Sequence, residues 1–316
     1  MSSQPIKVIY GTANIGNEER WKSSDYVNEA FKILQTHDVK DLDTAQLFGG
    51  SQQKLGELKA GDKFNIDTKW LSGWKPGSGN KDNILSSAKE SISKLGVKQV
   101  DVFYLHAPDS QTDLEDTLAG VNEVYKLGLF KRFGLSNYPV EDVQKVYDIS
   151  KKNGYVLPSV YQGNYNPVAR LPDTLLLPTL RKLNMSFYGY SPLAGGFLTK
   201  TAEQIKEGAG RFGEQKNGGM YRQMYMKESY LAALAKWEDI ASEEGVSRAE
   251  LAYRWVAYNS PLKDGDGLII GASRTEQLEQ TLQGIKKGKL SDKAAKRIDE
   301  VWEGIKHEAP LDNFSK

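Results

Sequence analysis

Three side chains in this chain are of types that move or steer protons. Each sits at the C-terminal end of a short apolar run: Asp43 in KDLDTA, Lys69 in KFNIDTKW and His106 in VDVFYLHA. A buried lysine is tolerated only beside a carboxylate, which makes Asp43 and Lys69 natural partners. A histidine near such a pair adds a group that can give or take a proton near neutral pH. Singly, each is more often structural at a strand end, and His106 alone reads as a hydrogen-bonded core histidine. As a set they describe acid–base chemistry, provided the fold brings the three strand ends to one face. The stretch that carries Asp43, DLDTAQLFGG, continues to Phe48, a ring with no proton to give. His37 and His307 read as surface or packing residues.

The elements that must position this set alternate along the chain. Strand candidates are KVIYGTA (7–13), KDLDTA (40–45), KFNIDTKW (63–70), VDVFYLHA (100–107), RFGLSNY (132–138), PSVYQGNYN (158–166), MSFYGYSPL (185–193) and GLIIGAS (267–273). They are β-branched or aromatic, of buried-strand length, and mostly polar only at their C-terminal ends. Amphipathic segments lie between them. In SSDYVNEAFKIL, Ser24 is expected to cap while Val27, Ala30, Phe31 and Leu34 share a face. NKDNILSSAKESISKLG stops at Gly96, and DLEDTLAGVNEVYKLG runs from Asp113 as cap to Gly128 as stop. Eight strand–helix units without a composition break predict an α/β fold, a single (β/α)₈ TIM barrel over residues 1–316. In such a barrel the C-terminal strand ends converge on one face, as the chemistry requires. No G-x-G-x-x-G follows the first strand, and GAGRFG (208–213) has no strand before it, so an open dinucleotide-binding sheet lacks its fingerprint. The stretch after the seventh strand, running to MYRQMYMKESY, is too long for an ordinary connection and reads as a functional lid or an ordering segment. The end, EAPLDNFSK, is expected to lie over the barrel mouth or to fray.

Composition excludes several classes. Lys+Arg 42 against Asp+Glu 41 leaves a formal charge of +1, so no whole-chain field favours nucleic acid or an anionic membrane. With no cysteine there is no disulfide, thiolate nucleophile or Cys-based metal site, and no metal is expected. The N-terminal MSSQPIKVIYGT lacks a signal-peptide pattern, and no apolar run reaches membrane-helix length. The expectation is a soluble, cytoplasmic protein with a small-molecule partner, a homodimer being left open.

The stretch around Asp43 resembles the first motif of the aldo-keto reductases, of the form D-T-A-x-x-Y-G, and the resemblance covers essentially the whole chain. Phe48 stands where that family has its proton-donating tyrosine. The resemblance assigns Asp43, Lys69 and His106 to the family's acid-catalysis roles, in which Lys lowers the phenol's pKa and His orients the carbonyl during hydride transfer. It places a nicotinamide cofactor against Gly11 and Thr12, with Asp43 also near it, and the carboxamide against Ser136, Asn137 and Gln162. Tyr190 is similar to the aromatic that stacks on the nicotinamide face. The pyrophosphate falls near the backbone of Ser191, Leu193 and Gly195, where Gly195 and Gly196 leave room. GASRTEQLEQT is similar to the adenosine-phosphate segment: Gly271, Ser273 and Gln277 match, and Thr281 replaces an expected Asn. Ser273 and Arg274 near a helix N-terminus suit a 2′-phosphate, which favours NADP(H).

GRF followed by MYRQMYMKESY resembles the aflatoxin-aldehyde and succinic-semialdehyde reductase branch. That assigns Arg211 to phosphate and Arg222 to the substrate pocket. The tail, NFSK with Ser315 and Lys316, lacks the branch's terminal Arg, which weakens the case for a carboxylate-bearing aldehyde. Trp21, Trp70 and Trp74 are expected at the mouth, where they read equally as the wall for a flat, apolar carbonyl or aromatic substrate and as lid packing. Phe48 leaves three readings. The preferred one is a reductase frame whose acid tyrosine has been changed to phenylalanine, impairing carbonyl reduction. The others are a natural barrel enzyme performing isomerisation, C=C reduction or dehydration, and a non-catalytic sensor of cofactor redox state.

Overall fold

The computed structural model describes residues 6–213 and 219–314. Eight parallel strands close into a barrel in sequence order, β1 pairing with β8. They are β1 (Lys7–Gly11), β2 (Asp41–Asp43), β3 (Asn65–Trp70), β4 (Val100–Leu105), β5 (Phe130–Ser136), β6 (Pro158–Asn164), β7 (Ser186–Tyr190) and β8 (Gly267–Ile270). All eight expected strands are present, and all but β3, which runs to Trp70, stop short of their apolar run at the C-terminal end. There the backbone leaves the ladder to build the loops of the mouth.

Helices α1 (Ser24–Thr36), α2 (Ser51–Glu57), α3 (Lys81–Leu95), α4 (Leu114–Lys126) and α5 (Val140–Lys152) follow the first five strands. Two short helices, α6 (Pro172–Leu175) and α7 (Leu177–Lys182), lead into β7. The connection to β8 carries α8 (Ala202–Lys206), α9 (Met220–Tyr225), α10 (Glu228–Glu244) and α11 (Arg248–Arg254). The chain closes with α12 (Thr275–Lys286) and α13 (Asp292–Ile305), the latter packed on α10. Asp113 caps α4, Gly96 ends α3 in the left-handed conformation, and Gly128 follows α4 with φ 70°. The cap of α1 differs from expectation. It is Ser23 that accepts the Tyr26 amide, because Ser24 is already helical and its hydroxyl accepts from Lys54.

Two packed layers result. Between sheet and helices lies the large apolar shell, in which Val27, Ala30, Phe31 and Leu34 of α1 are buried. Inside the barrel a smaller cluster of Ile9, Val102, Tyr104, Val160, Tyr188 and Ile269 fills the axis. The Tyr104 ring can cross the axis because Gly134 faces it; a Cβ there would stand 2.3 Å from the ring. Polar interior residues collect above and below this plug, and those above it form the floor of the mouth. Among the described residues, no helix is long and apolar enough to cross a membrane.

Candidate active site

Period-two alternation along β2 and β3 points Asp43 and Lys69 inward from neighbouring strand ends. Lys69 Nζ donates to Asp43 Oδ2 at 2.6 Å and to the Thr44 carbonyl at 2.9 Å, and both side chains are almost wholly buried. The second Asp43 oxygen accepts Gln162 Nε2 at 2.9 Å. The carboxylate is thus held from both sides, and a buried ion pair persists only when its remaining hydrogen-bonding sites are met. Gln162, expected on the cofactor, has its amide nitrogen on Asp43 instead. The ammonium also faces two rings, Phe48 at 4.9 Å and Tyr104 at 5.8 Å.

Phe48 reaches this place through a tight loop. Gly49 has φ 52° and ψ −114°, and a Cβ there would come within 2.5 Å of Asn17 Oδ1. Asn17 is the clasp: its amide donates to the Phe48 carbonyl at 2.6 Å and its Oδ1 accepts the Gly50 N–H. His106 stands edge-on to Phe48, ring centroids 6.1 Å apart, and Trp74 stands 5.9 Å away on its other side. Burial, followed by the charge on Lys69, holds the imidazole well below its usual range, so it is neutral, with Nδ1 lacking a partner. Asp43, Lys69, His106 and Phe48 therefore converge as expected. The wall continues through Trp74 to Phe314, centroids 5.0 Å apart, so the described tail does lie over the mouth. Ser315 and Lys316 lie outside the described residues.

A second group runs around the rim. Asn137, at φ 59° just past β5, donates to the His106 carbonyl and to Ser136, and accepts the Tyr190 hydroxyl at 2.6 Å. After β7 the backbone turns through positive φ at Ser191, Ala194, Gly195 and Gly196. The room at Gly195 is filled by the protein itself: a Cβ would lie 2.2 Å from the Tyr221 ring of α9. Lys200 donates to the Gly196 carbonyl. Arg211 donates to the Tyr221 hydroxyl at 3.1 Å, and Arg222 to the Phe212 carbonyl at 3.0 Å. Lys200 and Arg211 form no ion pair with a described carboxylate. Burial, then the nearby Arg211 charge, lowers the Lys200 pKa.

Near α12, Ser273 is bound through Gln277, and the loop is fixed by Asn14 on the Ala272 carbonyl and Tyr26 on the Thr275 amide. Ser273 and Arg274 are exposed, as is Gly271, beside which a Cβ would meet nothing; Thr281 bonds Tyr253.

Three expectations are corrected. Trp21 is fully buried between Tyr10 and Tyr26 and donates to the Ser273 carbonyl, because its helical turn folds beneath the α12 loop. Trp70 follows Lys69 and so points outward, into the shell between sheet and helices. The Thr12 hydroxyl is fully buried on the Asp43 carbonyl and Ser51, leaving it no side-chain bond to offer a ligand. Asn17, Lys200, Tyr104 and Asp67 matter to the site and were not singled out. Asp67, two residues before Lys69, was findable from period-two alternation; Asn17 and Tyr104 act through contacts distant in sequence, and Lys200 through the irregular loop after β7.

A closed (β/α)₈ barrel with a buried Asp–Lys pair and a neutral histidine at its mouth defines an oxidoreductase-type site of the barrel class. The aldo/keto reductase family pattern matches residues 7–303. Oxidoreductase sirO of Leptosphaeria maculans is 40% identical over 315 residues, covering 96% of this chain and 95% of that protein. An aldo-keto reductase of Pseudocercospora fijiensis is 37% identical over 286 residues, covering 86% of this chain and 96% of its own. Human aflatoxin B1 aldehyde reductase member 2 is 37% identical over 324 residues, covering 96% and 89%. The chain belongs to the aldo/keto reductase family.

Proposed function

We propose that this protein binds NADP(H) and reduces the carbonyl of a small, largely apolar substrate, slowly, for want of a hydroxyl at position 48. The observation that carries the reading is the buried Lys69–Asp43 pair directly under the Phe48 ring, with neutral His106 beside it. The residues fit a dinucleotide. Lys200 and Arg211 are adjacent cations with no carboxylate paired to them among the described residues, and the exposed Arg274 stands at the start of α12, where anions bind favourably. When bound, the nicotinamide supplies a hydride.

The chain's own residues do the rest. Neutral His106 offers one N–H to a carbonyl oxygen and cannot compete with it for charge. Trp74 and Phe314 shed water from the approach. Lys69 polarises the floor but reaches the pocket only past the Phe48 ring. The relatives named for aflatoxin B1 aldehyde support an aldehyde on an aromatic frame as substrate class.

The test is Phe48→Tyr, assayed on aromatic aldehydes and quinones with NADPH. A positioned acid contributes about 10²–10⁴-fold in rate, roughly 3–5 kcal/mol of barrier. Restoring the hydroxyl is expected to raise kcat by a factor in that range with NADPH affinity little changed. No gain overturns the reductase reading. Turnover of a substrate by the unmodified chain without net redox change favours the isomerase reading instead.

A further inference from the structure

Four acids in and against the barrel, Asp41, Asp43, Asp67 and Asp101, meet three cations, Lys7, Lys69 and Arg132. Lys69 is paired with Asp43, Lys7 with Asp41 at 2.9 Å, and Arg132 with Asp101 at 2.6 Å. Among the described residues, Asp67 has no ion-pair partner. It lies on β3 two residues before Lys69, on the same inward face, and is in register with Asp43 on β2. It is fully buried: Oδ1 accepts the Val102 amide at 3.1 Å, and Oδ2 has no partner. The Tyr104 hydroxyl, on the strand position paired with Lys69, is likewise unpartnered. The charged and titratable groups around Asp67 are Asp43 from β2, Lys7 from β1, Asp101 and Tyr104 from β4, Arg132 from β5, Tyr188 from β7 and Lys69 on its own strand. Every cation among them already has its own carboxylate. A lone carboxylate in such a place costs several kcal/mol. Burial, reinforced by Asp43, accordingly holds this carboxyl well above the usual carboxylate range.

We propose that Asp67 is a positioning residue of the reducing site: an acid kept protonated, whose neutrality leaves Asp43 the sole counter-ion of Lys69 and holds the ammonium beneath residue 48. Ionised, Asp67 offers Lys69 a second anion lower on its own strand and draws it away from the pocket floor. The same proton links folding to pH. Unfolded, Asp67 ionises above about pH 4, whereas folded it does not. Stability therefore falls as pH rises from there until the folded carboxyl itself ionises.

Infrared spectroscopy of the intact protein at neutral pH tests the proton directly. A protonated-carboxyl C=O band that shifts in D₂O is expected, absent in Asp67→Asn and retained in Asp173→Asn, the control at the other acid that burial pushes up. Persistence of the same band in Asp67→Asn overturns the proposal, and so does loss of every such band in Asp173→Asn, a readout that does not depend on the position-67 variant folding. In the kinetic arm, which rests on the reductase reading, the slow oxidation of NADPH by an aromatic aldehyde is followed against pH. Asp67→Asn is expected to move the alkaline limb of kcat upward by about one pH unit or more with KM little changed, and to flatten the pH dependence of stability. Coincident kcat limbs overturn the positioning role. If no NADPH is oxidised at any pH, the reductase reading fails while the infrared band still decides the state of Asp67.

Discussion

The floor of the site and its rim are built on opposite principles. On the floor, Asp43 has both oxygens bound and Lys69 two of its three protons, all by partners on or beside the strands. On the rim, Lys200, Arg211 and Arg274 carry charge with no ion pair among the described residues; Lys200 donates to a carbonyl and Arg211 to a phenol. The floor is therefore complete without a ligand, whereas the rim, on the reading proposed above, awaits an anion. The two regions should fail differently. Damage to the floor is paid in folding, and damage to the rim appears in binding.

The largest expected effect sharpens that contrast. Lys69→Met leaves Asp43 buried without its cation, a change that costs about 3–5 kcal/mol. Urea unfolding should show a loss of that size. The double variant with Asp43→Asn should recover part of it. A loss under about 1 kcal/mol means the pair is hydrated and the floor is not preassembled.

Arg211→Ala is the corresponding cut at the rim. A hydrogen bond to a charged group contributes about 1.5–3 kcal/mol, so NADPH affinity should fall roughly 10–100-fold while thermal stability without cofactor changes little. Raising the salt should narrow the gap between parent and variant. Equal loss of stability and affinity would place Arg211 with the structural residues, clamped to Tyr221 for folding rather than for a ligand.

The same division explains what could be read in the sequence. Asp43, Lys69 and His106 were legible because each ends an apolar run, and a closed parallel barrel brings such ends together. Trp21 and Trp70 were misplaced because an aromatic near a strand end reads alike whether it faces the axis or the shell. The face of Trp70 follows from its parity with Lys69, and that of Trp21 from a helical turn whose path depends on Ser273, far along the chain. Gly195 was read as room for a phosphate, but the room belongs to Tyr221, a contact the sequence cannot register. Asn17, which clasps the Phe48 loop, sits in a stretch without periodicity.

The smallest effect tests where floor and rim meet, at the tail. Phe314 packs edge-on to Trp74, with interplanar angle 73°, and Trp74 in turn packs on His106. The Asn313 amide donates to the Tyr190 hydroxyl, so backbone bonds hold the tail in addition to the ring. An aromatic pair contributes about 0.5–1.5 kcal/mol beyond its buried area. Phe314→Ala should therefore leave the tail in place and remove one wall of the approach. In the Phe48→Tyr chain, KM for an aromatic aldehyde is expected to rise about two- to tenfold, with kcat and NADPH affinity nearly unchanged, because the ring touches Trp74 and not Lys69 or Asp43. A fall in kcat of the same size would show that Trp74 relays the tail's position to His106, tying the rim to the floor through one aromatic contact.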